Sequence, residues 1–287
     1  MPLPSYPGRP TQLGELPIWR ALPARGRRLI GPWCFLDRYG PLSFAGEKPM
    51  DVAPHPHIGI QTVSWLMEGE IVHRDSLGYE APLRAGGVNV MTSGRGIAHS
   101  EETPRRNGGR LNGVQLWVAM PDADRNGEPG LEHVDEVPER EWRGGRARIF
   151  TPLRHYSPLI GADVEVHPRE TLVLPLEATF EHGLYVLGGH AELEGQRLEV
   201  NTLYDLGLGR AEVSISTREG ARLLLIGGTP FAEPVLMWWN FVARTREEIA
   251  AARVAWVEGR FGAVRGYDGP TLPAPPLAKL APPNPAS

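Results

Sequence analysis

The chain has one cysteine, Cys34, in 287 residues. A lone thiol excludes an intrachain disulfide and any thiolate cluster, and Cys34 reads as a small buried apolar residue. Lysine is nearly as scarce: among 30 basic side chains only Lys48 and Lys279 are lysines, a compositional bias of the kind a GC-rich prokaryotic genome produces. The net charge of −4 supplies no basic footprint, so direct nucleic-acid binding is not expected. No run of about 18 apolar residues occurs, which leaves no candidate membrane span. The start, Met1-Pro2-Leu3-Pro4, lacks a basic region followed by an apolar stretch, so no signal peptide is expected and the chain reads as cytoplasmic.

What is present fits an ordinary globular protein, with 41% hydrophobic and 22% charged residues and room for one large or two modest domains. Turn signals recur roughly every ten residues, as in a sandwich or barrel. Strand candidates run over 29–36, 62–67, 70–74, 88–92 and 111–120, the last with Val114, Leu116 and Val118 in phase. After a polar, glycine-rich crossover at 121–145, a second series covers 147–150, 163–167, 171–174, 184–187, 191–193, 212–217 and 221–226. The two series share a weak pattern of strands and turns. Thr245-Arg246-Glu247-Glu248 is a capping-box pattern that opens a helix at about 246–258. The expected fold is all-β: two antiparallel β-barrel or β-sandwich domains with a short C-terminal helix. Its expected divisions are an irregular arm at 1–28, a first barrel at 29–132, a second at 133–262 carrying the helix, and an extended or disordered Pro/Ala-rich tail at 263–287.

The stretch from Ala53 to Thr103 organises the chemistry. It opens with Pro54-His55-Pro56-His57 and closes with Gly94-Arg95-Gly96-Ile97-Ala98-His99-Ser100-Glu101. Side chains at i and i+2 of a strand share a face, so each end aims a pair of donors one way. Alone, His-x-His is common and usually marks exposed or hydrogen-bonded imidazoles. Two such pairs on glycine-bounded strands point instead to a metal site of His55, His57, His99 and Glu101. Nitrogen and oxygen ligands without thiolate suit Fe(II), Mn(II), Ni(II), Cu(II) or Zn(II). His73 and Asp75 are expected on a solvent-facing strand, support of the ligands being the lesser reading. Overlaying the two series sets Pro175 and Glu177 opposite His55 and His57, so the second barrel should hold no such metal; His182 and His190 are expected at the surface or at strand ends. Trp33, Phe35 and Trp117 read as core.

These motifs resemble the pirin family of the cupin superfamily, in particular its bacterial quercetinase-like members. Pro54-His55-Pro56-His57 followed by Gln61-Thr62-Val63-Ser64-Trp65-Leu66-Met67-Glu68-Gly69 looks like the first signature. Met91-Thr92-Ser93-Gly94-Arg95-Gly96-Ile97-Ala98-His99-Ser100-Glu101 looks like the second. Landmarks at Gly31-Pro32, Leu36-Asp37-Arg38-Tyr39-Gly40-Pro41, Gln115-Leu116-Trp117-Val118 and Glu233-Pro234-Val235 extend the likeness from about Leu29 to Phe261.

The resemblance implies a bicupin with one non-haem metal, usually Fe(II), in the N-terminal barrel, held by His55, His57, His99 and Glu101. It also implies quercetinase-like ring cleavage of a flavonol with O₂ and release of carbon monoxide. In that chemistry Glu101 either stays a ligand or swings away to accept the substrate's hydroxyl proton. The alternative is a non-catalytic, metal-binding regulatory protein, a transcription cofactor or modulator of a metabolic enzyme, with a protein as its partner. A purely structural metal is a third reading. Gln61 stands where many cupins and related pirins carry Glu, which bears on metal preference.

Overall fold

The computed structural model describes residues 2–45 and 49–277. The chain forms two compact units. One comprises residues 11–18, 38–135 and 232 onward; the other comprises 1–10, 19–37 and 136–231. Each is built on a seven-stranded and a four-stranded sheet, with antiparallel pairing in both.

In the first unit the Ile60–Glu68 strand of the larger sheet is flanked by Val88–Thr92 and Arg110–Ala119. The Ile60–Glu68 strand is buried along almost its whole length, because both of its faces are covered. The smaller sheet runs Asp51–His57, Ile97–Glu102, Glu70–Asp75, Glu80–Arg84. An apolar cluster that includes Leu16, Ile18, Tyr39, Leu66, Ile71 and Leu83 fills one part of this unit. In the second unit an apolar cluster includes Leu172, Leu174, Leu184, Val186, Ile215 and Leu223.

Three expectations change. Residues 1–28 are no irregular arm but carry the strands Ser5–Pro7, Arg9–Leu13 and Leu16–Leu22. Alternating burial of Leu16 and Ile18 drives the last of these despite the nearby prolines. The boundary at 132/133 falls inside a strand, Gly130–Val134, which pairs with Val88–Thr92, so the expected crossover is partly sheet. The helix, Arg246–Val257, has the full capping box at Thr245 and Glu248, a device worth about 1 kcal/mol. Its buried Ile249, Ala252 and Trp256 pack with Ala98, Leu236 and Phe241 of the first unit rather than with the second barrel. The described part of the tail is extended, one of the two expected states, and it is docked: Leu272 donates its amide to Pro54 O and accepts from the Trp256 indole. The tail beyond residue 277 lies outside the described residues. No described helix is long and apolar enough to cross a membrane.

Candidate metal centre

Antiparallel register assembles the centre. Ile97–Glu102 lies between two strands, with His99 opposite His55 on one side and Asp75 on the other, and Glu101 opposite His73. Each strand contributes an i, i+2 pair: His55 and His57, His99 and Glu101, His73 and Asp75. A bulge between His99 and Glu101 resets the register toward Asp51–His57, and such bulges re-aim side chains. All six residues are buried.

Donor atoms of His55, His57 and His99 lie within 4.8 Å of one another, and so do those of His73, His99 and Glu101. His99 belongs to both groups. Glu101 therefore sits with His99 and His73 and is not grouped with His55 and His57. The three ring pairs among His55, His57 and His99 have centroids 4.4–5.0 Å apart, and Trp117 meets His57 edge-on at 5.1 Å. Trp117 is thus buried as expected but touches the centre. Glu101 accepts from the Ser64 hydroxyl at 3.0 Å. Gln61 is fully buried, and its amide nitrogen donates to Thr92 Oγ1 at 3.0 Å.

His55 Nδ1 bonds the Ala53 carbonyl at 2.9 Å and His57 Nδ1 the Asn240 carbonyl at 3.0 Å. A carbonyl only accepts, so each ring carries its proton on Nδ1 and leaves Nε2 bare. His99 Nε2 is buried with no hydrogen-bond partner. A buried imidazole nitrogen in that state is costly unless something outside the protein satisfies it. Two bare nitrogens and the unpartnered His99 Nε2, with the Glu101 carboxylate next to His99 and no sulfur, form a donor set that fits a divalent cation.

Electrostatics favour the same state. Burial lowers His55 to about 4, with His73 adding to the effect and the Ala53 carbonyl opposing it. Burial and the neighbouring imidazoles hold His57 and His99 well below the ordinary histidine value. Burial pushes Glu101 up, against His73 and the Ser64 hydrogen bond. Burial and then the charge of Glu101 push Tyr39 up.

The histidine shifts make stability pH-dependent. The unfolded chain binds more protons than the fold between pH 6.5, where unperturbed histidine titrates, and about 4, where His55 does. Stability is therefore complete above pH 6.5 and lost as pH falls, by about 1.4 kcal/mol per pH unit for each such histidine. Glu101 opposes this, as one carboxyl against three imidazoles. Urea denaturation of metal-free protein should show a clear loss between pH 7.5 and 5; a flat profile would contradict the buried neutral imidazoles.

His73 and Asp75, expected to face solvent, are almost fully buried, at 2% and 1% exposure. The available signal was phase: Ile71, His73 and Asp75 fall on one face, while Arg74 reaches Glu80 and Glu102 from the other. In the second unit His182 is buried near the start of its strand and His190 follows the end of the same one. Cys34 is buried, as expected.

Comparison with known proteins agrees with this architecture. Residues 16–118 match the family model described as Pirin, and 161–262 match that described as Pirin C-terminal cupin domain. A Pseudomonas aeruginosa protein named "Putative quercetin 2,3-dioxygenase PA1205" is 43% identical over 275 residues, covering 92% of this chain and 87% of that protein. A pirin-like protein of Caulobacter vibrioides is 35% identical, covering 94% and 98%. A crystal structure titled as quercetin 2,3-dioxygenase from Acinetobacter baumannii superposes with a TM-score of 0.94 at 39% identity, covering 98% of this chain and 97% of that one. The fold is that of a bicupin, all-β apart from its short helix. The chain belongs to the pirin family.

Proposed function

We propose that this chain is a metal-dependent dioxygenase of the pirin type, cleaving the ring of a flavonol or a similar enolisable phenolic with O₂. The observation that carries this reading is the unpartnered, buried Nε2 of His99 beside two imidazoles whose protons are tied to carbonyls. His55, His57 and His99 would hold the cation, with Glu101 as the fourth ligand. Fe(II) is the first choice, with Mn(II), Ni(II), Cu(II) and Zn(II) as the alternatives compatible with these donors. When bound, any of these cations would supply Lewis acidity toward the substrate's hydroxyl oxygen, and the redox-active ones, unlike Zn(II), a route for electrons to O₂.

The chain's own groups supply the rest. Glu101, pushed up by burial, is poised to take the proton of that hydroxyl, with Ser64 Oγ donating to Oε1 and holding the carboxylate in place. Buried walls that include Trp117 and Tyr39 limit access of water to the reacting atoms. The names of the Pseudomonas and Acinetobacter proteins support quercetin as the first compound to try.

The test is O₂ uptake by anaerobically Fe(II)-reconstituted protein given quercetin, with carbon monoxide measured in parallel. Uptake matched by carbon monoxide is expected. A demonstrably metal-loaded protein that consumes no O₂ would overturn quercetinase activity and favour a regulatory role for the same centre.

A further inference from the structure

The Nδ1 atoms of the three clustered imidazoles are all engaged, but their partners differ in kind. His55 and His57 face backbone carbonyls, whereas His99 Nδ1 faces another imidazole, His73 Nδ1, at 3.3 Å. A contact between two ring nitrogens has no built-in direction, since either can be the donor. Direction has to come from further along the chain of contacts. His73 Nε2 lies 3.2 Å from Asp75 Oδ2, and Asp75 Oδ1 accepts from the amides of Leu77 at 2.9 Å and Tyr79 at 3.1 Å.

We propose that His73 and Asp75 are positioning residues that set the tautomer of His99 and thereby aim its bare Nε2 at the metal; the inference rests on the metal-site reading above. The logic runs one way. The Asp75 carboxylate can only accept, so His73 must carry its proton on Nε2. In the neutral His73 ring Nδ1 is then bare and must accept, so the proton of His99 sits on Nδ1. That leaves His99 Nε2 as a lone pair, matching His55 and His57. The alternative, with His73 itself as a ligand alongside His99 and Glu101, would spend the Nδ1 atoms on the metal and leave His99 Nε2 buried and unsatisfied. Only the relay accounts for both nitrogens of both rings.

Asp75→Asn is the discriminating variant because it is isosteric. The two backbone amides hold its Oδ1, so its NH₂ group faces His73 Nε2 and donates. Every hydrogen bond in the relay then reverses, and a proton arrives on His99 Nε2. His73→Phe keeps ring volume and merely removes the guide. A role limited to packing makes Asp75→Asn the milder change; the relay makes it the more severe.

Two measurements test this. Long-range proton–nitrogen spectra of metal-free, ¹⁵N-histidine-labelled full-length protein should place protons on His99 Nδ1 and His73 Nε2, and Asp75→Asn should swap both. Ni(II) affinity by chelator competition should weaken about 10-fold in His73→Phe and closer to 100-fold in Asp75→Asn, the span typical of groups that orient metal-bound histidines. A proton on His99 Nε2 in the unaltered protein overturns the proposal, whether or not the variants fold. So does a folded Asp75→Asn that binds Ni(II) as well as His73→Phe. Unaltered protein that shows the stated tautomers yet binds no Ni(II) sinks the metal-site reading and this inference with it. Tight Ni(II) binding with the opposite tautomer sinks the inference alone.

Discussion

Replacing His99 by alanine should abolish metal binding while leaving the metal-free fold largely intact. His99 is the one residue shared by both donor groups, and it occupies the central strand between His55 and Asp75. Its loss removes a ligand outright, so affinity should fall by more than the roughly 100-fold that altering a supporting residue can cost. Stability of the metal-free protein should change far less. The variant strands His73 Nδ1, a penalty of about 1–3 kcal/mol, but also deletes the buried nitrogen that has no partner in the metal-free protein. The two effects oppose. Thermal denaturation with and without Ni(II) separates them: at a metal concentration 100 times Kd the unaltered protein should gain about 2.7 kcal/mol, and His99→Ala nothing. A metal-dependent gain that survives in the variant would place the cation elsewhere.

The parts of this centre that were legible in the sequence are those written in side chains at strand spacing. His55-x-His57 and His99-x-Glu101 announce themselves because a two-residue period puts each pair on one face. His73-x-Asp75 obeys the same rule and shares its face with Ile71, but polar strand residues more often face solvent, and that general tendency outweighs one apolar neighbour in phase when Val72 puts another on the opposite face. Only the register, Glu101 opposite His73 and His99 opposite Asp75, shows which face is inside. Asn240 was out of reach for a different reason. It holds His57 through its backbone carbonyl across 183 residues of sequence, and a carbonyl carries no residue-type signature. The helix was legible because its capping box is local, whereas the barrel it packs against was not, because that depends on contacts such as Ala98 with Phe241. The first strands were obscured by proline, a poor guide where, as at Leu16–Leu22, the residues between still alternate.

That distant carbonyl leads to the second large effect expected. Asn240 lies in the turn between Leu236–Trp238 and Phe241–Ala243, and this hairpin is joined to the His57 strand by the Val242 amide bonding Ile58 O. Gly59 makes the approach feasible: its φ is +70°, and a Cβ there would come within 2.2 Å of the Val242 carbonyl oxygen. Gly59→Ala therefore meets two obstacles, a left-handed backbone and a collision with main chain that has no rotamer to yield. Together they should cost on the order of 3 kcal/mol. The hairpin must move away, and the Asn240 carbonyl moves with it, releasing the His57 Nδ1 proton and with it the orientation of Nε2. Ni(II) affinity should fall alongside stability. Gly86→Ala is the matched control, since its φ is +93° but nothing lies within 4 Å of the added carbon. It should show the backbone cost alone, about 1 kcal/mol, with metal affinity unchanged. Urea denaturation and Ni(II) competition on both variants decide the matter: equal losses would mean that strain at glycine, and not the close approach of the hairpin, is what Gly59 relieves.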